Sequence, residues 1–213
     1  MPLYTADALI LRTYQLGESD RIVVFLTRDR GKKRGVAKNA RQSRRRFGGA
    51  LEPLTCGRVG YVERERRDLV RVDYVEPTRS PLSAIDGDAL GYAGYFAELI
   101  DEWAQEADPN EPLFRLGAST VEAMAAGAPV ERLARYFEYW LLRLQGVYAL
   151  DGRLSVEAQA FLAAARTSSP FTLAALTVSA STLREIEASH RTLIALHLEK
   201  ELKSARVLRE MRR

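Results

Sequence analysis

The chain has 213 residues, 46% hydrophobic and 28% charged, which suits one large or two small domains with a real core. Apolar runs such as IVVFL and YWLL fall far short of the roughly 18 residues a membrane span needs, and MPLYTADALIL has neither the basic start nor the apolar stretch expected of a secretory signal. A single cysteine, Cys56, excludes an intrachain disulfide framework and fits a reducing cytoplasm; the net charge of +4 is ordinary until it is divided along the chain.

Residues 3–77 read as β. ADALILRTYQL and DRIVVFLTRD are rich in β-branched and aromatic residues and are separated by the turn-like GESD. KRGVAK follows across RDRG, where Gly31 can supply a positive φ. LEPLTCGRVGYVER is a long strand whose Gly57 and Gly60 allow bulges or bends. DLVRVDYVE alternates, with Val70, Val72 and Tyr74 on one face and Arg71 and Asp73 on the other. Five strands with a glycine-bent fourth suit a small closed barrel of the OB-fold type, in which strands 2 and 3 and their loops are the usual oligonucleotide face.

EPTRSPL, with two prolines, ends the strand pattern and divides the chain into domains at 1–78 and 82–213. Beyond it the period is helical. Leu90, Ala93, Ala97, Ile100 and Ala104 form one stripe, and Phe96, Leu99 and Trp103 widen it. DPNEP breaks that helix; Leu113, Leu116, Thr120, Val121 and Met124 mark the next. Leu133, Phe137, Trp140, Leu141 and Leu144 mark a third, which ends at Gly146, and SVEAQAFLAAAR is a short fourth. Thr182 and Glu185 have the spacing of a capping box opening the last, with a stripe through Leu183, Ile186, His190, Leu193, Ile194, His197 and Leu198. The predicted fold class is α+β, a five-stranded OB-fold barrel followed by an all-α helical domain.

The charge is concentrated in the barrel. Residues 28–46 hold ten Lys or Arg and one acid, Asp29, so this segment carries +9 of the net +4 and leaves the other 194 residues at −5. Seven of the ten are arginine, whose planar fork grips phosphate and stacks on bases. Lys32, Lys33, Arg34, Lys38, Arg41, Arg44, Arg45 and Arg46 are therefore candidate nucleic-acid ligands, with Phe47 and Tyr61 as candidate stacking surfaces or barrel core. Without a base-reading motif, the pattern favours recognition of backbone and shape over sequence.

Enzymatic constellations are missing: there is no P-loop, G-x-G-x-x-G, H-E-x-x-H or G-x-S-x-G. Cys56 reads as a packed thiol, and His190 and His197 lie on an apolar stripe without a ligand set for metal. Together with the charge split, this favours a binding protein over an enzyme, with no metal or cofactor. An OB-fold RNA-binding accessory protein is the alternative reading of the same residues, and an unrecognised phosphate-handling enzyme a third.

GESDRIVVFLTRDRGKKRGVAKNARQSRRRFGGALEP, residues 17–53, resembles the signature region of the RecO recombination and repair family, in which a strand ending T…GK leads to VAKGAR, a basic loop and LEP or LQP. YFEYWLLRLQG (136–146) resembles the family helix ending LLxxLG, and HLEKELKSARVLREM (197–211) its closing LKSR helix. Asn39 stands where the family has glycine, a tolerable exchange in a left-handed turn. Many members carry a four-cysteine zinc site after the LLxxLG helix; the corresponding VYALDGRLSVEAQAF holds no cysteine. The resemblance implies a bacterial cytoplasmic, nucleoid-associated protein that binds single- and double-stranded DNA and anneals complementary strands. It further implies that the protein acts with RecR to load RecA onto strands coated by single-strand-binding protein. Arg135, with Arg132 one turn earlier, falls where a family arginine contacts the acidic C-terminal tail of that binding protein.

Overall fold

Hydrogen bonding closes the N-terminal strands of the computed structural model into a barrel. The structure describes residues 3–63, 68–81, 87–149, 151–174 and 176–211. The strands are β1 (Leu3–Leu16), β2 (Asp20–Thr27), β3 (Gly31–Ala37), β4 (Cys56–Val62) and β5 (Val70–Arg79), with a one-turn helix, α1 (Arg44–Phe47), between β3 and β4. They close in the order β1-β2-β3-β5-β4, antiparallel except for β3 with β5, and β4 pairs back to β1. The β4–β5 register shifts at Cys56/Gly57 and at Gly60/Tyr61, the bends expected of those glycines; a Cβ at Gly60 would lie 2.2 Å from the Tyr74 ring.

Burial on both faces explains why β1 and β2 read as continuous apolar runs. Ala8, Ile10, Val23 and Phe25 fill the barrel, whereas Leu9, Leu11, Val24 and Leu26 turn outward, with Leu54 and Cys56, into the core of the helical region. Barrel and helices therefore share a core, although the sequence divides them cleanly. Gly31 (φ +69°) lies at this joint: a Cβ there would fall 2.4 Å from the Asp108 backbone. The Lys32 N–H donates to Gln105 O and the Ala107 N–H to Lys32 O, both at 3.1 Å, which ties β3 to the helical region.

The helices are α2 (Gly87–Trp103), α3 (Glu111–Ala125), α4 (Val130–Leu144), α5 (Val156–Thr167), α6 (Pro170–Ala174), α7 (Ala180–Leu198) and α8 (Lys203–Met211). DPNEP separates α2 from α3 because Asn110 caps the new helix: its Oδ1 accepts the Leu113 N–H at 3.1 Å, with Pro112 in the first turn. Around α4 pack α2, α3, α5, α6 and α7, and this central position buries almost every residue from Leu133 to Leu142.

Three local expectations are corrected. Leu90 is 47% exposed and lies outside the buried stripe of α2. The long helix α7 starts at Ala180, capped by Ser179, whose Oγ accepts the Thr182 N–H at 3.2 Å; the anticipated Thr182–Glu185 box does not form. Instead the caps are exchanged between helices. Glu185 of α7 accepts the N–H and Oγ–H of Ser155, the α5 cap, at 2.7 and 2.6 Å. Glu157 of α5 accepts the N–H and Oγ–H of Ser179 at 2.9 and 2.8 Å. Finally, the closing helix breaks at Glu199, whose left-handed backbone (φ 53°) ends α7 and separates it from α8.

Candidate nucleic-acid interface

The basic run splits where β3 ends. On its first half, five cations meet carboxylates. Arg28 bonds Glu111 at 2.7 Å, a pairing that raises the arginine pKa and lowers that of Glu111. Arg30 lies 3.7 Å from Asp29 and its guanidinium sits 4.3 Å above the Tyr4 ring. The Lys32 ammonium reaches the Asp101 carbonyl at 2.6 Å and the Asp101 carboxylate at 3.2 Å, and Arg12 grips that same carboxylate at 2.6 Å. Lys33 pairs with Glu63 at 2.8 Å, and Arg34 lies 3.9 Å from Glu106. These acids come from the end of α2 (Asp101), the α2–α3 connection (Glu106), the start of α3 (Glu111), the residue after β4 (Glu63) and the β2–β3 turn itself (Asp29). The side chains of Lys32 and Lys33 are only 15% and 18% exposed.

The second half is different. Beyond Ala37 the chain turns at Asn39 (φ 53°), whose N–H donates to Asp20 Oδ1 at 2.8 Å and whose carbonyl accepts the N–H groups of Gln42 and Ser43. Arg46 holds the turn from within, donating to Lys38 O at 2.7 Å and Ser43 Oγ at 3.0 Å while lying 5.0 Å over the Phe47 ring. Arg41 donates to the Glu18 carbonyl at 3.0 Å. Phe47, 2% exposed, anchors α1 in the barrel core. The loop is thus ordered by backbone carbonyls, the Asp20 and Ser43 side chains and one aromatic anchor. Among the described residues, none of Lys38, Arg41, Arg44, Arg45 or Arg46 forms an ion pair, and all but the half-buried Arg46 are exposed. Five cations on a folded loop without carboxylate partners form a surface ready for a polyanion.

Several sequence expectations fare differently. Phe47 and Tyr61 are both barrel core, at 2% and 0% exposure, so neither offers a ring to a base. Cys56 is buried and its thiol is pushed up to about 12 by desolvation, as an inert packed cysteine should be. His190 lies 3.0 Å from Glu138 Oε2 inside the helical core, and His197 stacks on Trp103 with centroids 5.5 Å apart. Among the described residues, no group of three or more His, Cys, Asp or Glu could hold a metal ion.

Arg135 is 3% exposed and bonded to Glu138 at 2.9 Å and Glu187 at 3.3 Å, so its charge is already matched by carboxylates in the wall of a pocket between α4 and α7. Arg132 is half-buried and engaged in contacts of its own. Sequence reasoning also missed Arg21, at the start of β2. Its side chain shares a pocket with Arg41 and Arg44, a proximity created by β2–β3 pairing, in which Arg21 faces Ala37. Its isolated position in DRIVV gave no sign of this.

Two family models match the chain: Recombination protein O N terminal over residues 1–81, and Recombination protein O C terminal over residues 85–151. A DNA repair protein RecO from Koribacter versatilis (strain Ellin345) is 44% identical over 145 residues, covering 68% of this chain and 59% of that relative. DNA repair protein RecO from Geobacter sulfurreducens (strain ATCC 51573 / DSM 12127 / PCA) is 41% identical over 153 residues, 71% of this chain and 60% of the relative. That from Anaeromyxobacter sp. (strain K) is 42% identical over 141 residues, 65% and 55%. The chain thus spans less than two thirds of the length of these relatives.

Proposed function

The chain belongs to the Recombination protein O family, and on that premise we propose that it serves DNA repair and homologous recombination by gripping DNA through the loop 38–46. The observation that carries this reading is the contrast within the basic run: cations 28–34 face carboxylates, whereas cations 38–46 face solvent. With both stacking candidates buried, the grip is on phosphates, which suits single and double strands alike and needs no particular sequence. Two complementary strands repel each other; a patch of about five cations screens both and favours their annealing. In this reading the protein works with RecR and promotes RecA loading on strands coated by single-strand-binding protein.

The burial of Arg135 moves the proposed contact for that protein's acidic tail. A groove of about 450 Å³ between α3, α4 and α6 combines Leu116, Tyr136, Trp140 and Leu144 with the exposed Arg115, an apolar floor beside a cation whose neighbour in the lining, Glu111, is bonded to Arg28.

The test is a salt titration of binding to a single-stranded oligonucleotide, with annealing measured in parallel. Neutralising about five phosphates on a single strand gives a log–log slope of about −3.5. A slope near zero, or preferential binding of structured RNA over DNA in competition, would overturn the reading. Annealing of strands coated with the cognate single-strand-binding protein tests the partner role, and exchange of Arg115 for Glu should impair it while sparing naked strands.

A further inference from the structure

Among the described residues, the basic loop encloses a pocket of about 180 Å³ between the start of β2, the loop after β3, α1 and residues 47–52. Arg21, Arg41 and Arg44 line it from three different segments, with the Gly48–Gly49 backbone and Glu52 completing the wall. Lys38, Arg45 and Arg46 lie outside it, so the cations of this surface fall into a pocket set and a track set.

The pocket is too small for a nucleotide, since sites for drug-sized ligands run from about 300 Å³ upward. It does not take a stacked base either, because the Phe47 ring in its wall is 2% exposed. None of its three guanidiniums forms an ion pair among the described residues, and each presents a planar fork suited to phosphate oxygens. A phosphodiester inside a strand carries one negative charge and needs an open groove for chain on both sides. A terminal phosphate monoester carries between about −1.5 and −2, offers three acceptor oxygens and needs room for chain on one side only. The Glu52 carboxylate, the one negative wall, leaves the pocket with a surplus of two positive charges, which a dianion matches and a monoanion does not.

We propose that this pocket is a subsite for the terminal phosphate of a DNA strand, and that Arg21 helps to grip it. The inference rests on the DNA-binding reading above and refines it: the track of Lys38, Arg45 and Arg46 holds internal phosphates, and the pocket holds an end.

The experiment compares one single-stranded oligonucleotide with a 5′-phosphate, with a 3′-phosphate, with hydroxyls at both ends and as a closed circle, for the wild-type chain and for Arg21→Gln. Arg21 is a partly exposed residue at a strand start, so the variant should fold; Arg44→Gln is measured as a second variant, and circular dichroism checks both. The expected result is that one phosphorylated end binds about tenfold tighter than the hydroxyl-ended strand, the usual worth of one charge-assisted contact. In Arg21→Gln and in Arg44→Gln that ratio should fall toward one, while the circle loses less affinity than the phosphorylated end. Competition with inorganic phosphate should lower the ratio only at concentrations far above that of the strand end. Equal wild-type affinity for all four strands, or equal loss on all four in folded Arg21→Gln, overturns the subsite and leaves the DNA-binding reading standing. Failure of the wild type to bind any of the four overturns both.

Discussion

Residues 28–34 and 38–46 hold five basic side chains each, yet they do opposite work. In the first group each cation lies within 4 Å of a carboxylate, two of them mostly buried, and Arg28, Lys32 and Arg34 fasten β3 and its turn to α2, the α2–α3 connection and α3. In the second, Arg41 and Arg46 donate to backbone carbonyls and Ser43 Oγ, and among the described residues none of the five cations meets a carboxylate. The difference lies in where the chain goes next. β3 is held between β2 and β5 beside the acidic end of α2, whereas the segment after Ala37 leaves the sheet and turns away from it. Equal local charge thus becomes glue in one place and, on the reading proposed above, a binding surface in the other.

The largest expected effect breaks the comparison on its binding side. Exchange of Arg44 and Arg45 for Glu should lower DNA affinity roughly a hundredfold at 0.1 M salt, with an unchanged circular dichroism spectrum, because both are exposed while Arg46 and Phe47 keep the loop and α1 in place. An unchanged affinity in the folded variant would refute the division. On the fastening side, Lys32→Ala should cost about 1–3 kcal/mol of stability in urea unfolding, since Asp101 and its carbonyl lose a largely buried donor. Its salt slope should stay within one phosphate contact of the wild type. Lys38→Ala should reverse that pattern, making the slope shallower by about 0.7 with no measurable change in stability. The smallest effect is in pH. The Arg28 hydrogen bond holds Glu111 below its ordinary 4.5, so this pair stabilises the fold above about pH 4.5 and is lost as pH falls through the lowered folded value. The melting temperature should therefore decline on acidification below about pH 4.5, whereas the salt slope should be the same at pH 7 and pH 5.5 because, among the described residues, no carboxylate forms an ion pair with the cations of loop 38–46.

All five strands and the larger helices are legible in the sequence, because each follows a local pattern: β-branched runs, apolar stripes of helical period, the break at DPNEP and the stop near Gly146, although β5 runs on through Pro77 to Arg79. The site is legible only as a region. What separates Lys32 from Lys38 is Asp101, which lies 69 residues from Lys32 along the chain and reaches it only after folding. Arg135 is hard to place for the same reason: RYFEYW looks like a helix with a charged outer face, but these residues lie on the packed part of α4, where Glu138 and Glu187 neutralise the arginine. The α7 start was misplaced because Ser179 and Thr182 are both acceptable caps locally. The choice falls to Ser179 once Glu157, from another helix, binds it.

That exchange of caps between α5 and α7 joins their fates. The Ser155 and Ser179 amides each donate to a carboxylate on the opposite helix, so neither helix can fray at its start without releasing the other's. Residues 155 to 198, beyond the reach of both family matches, should therefore open as one cooperative unit. In native-state hydrogen exchange the two serine amides would share a single opening free energy, and loss of either glutamate would deprotect both.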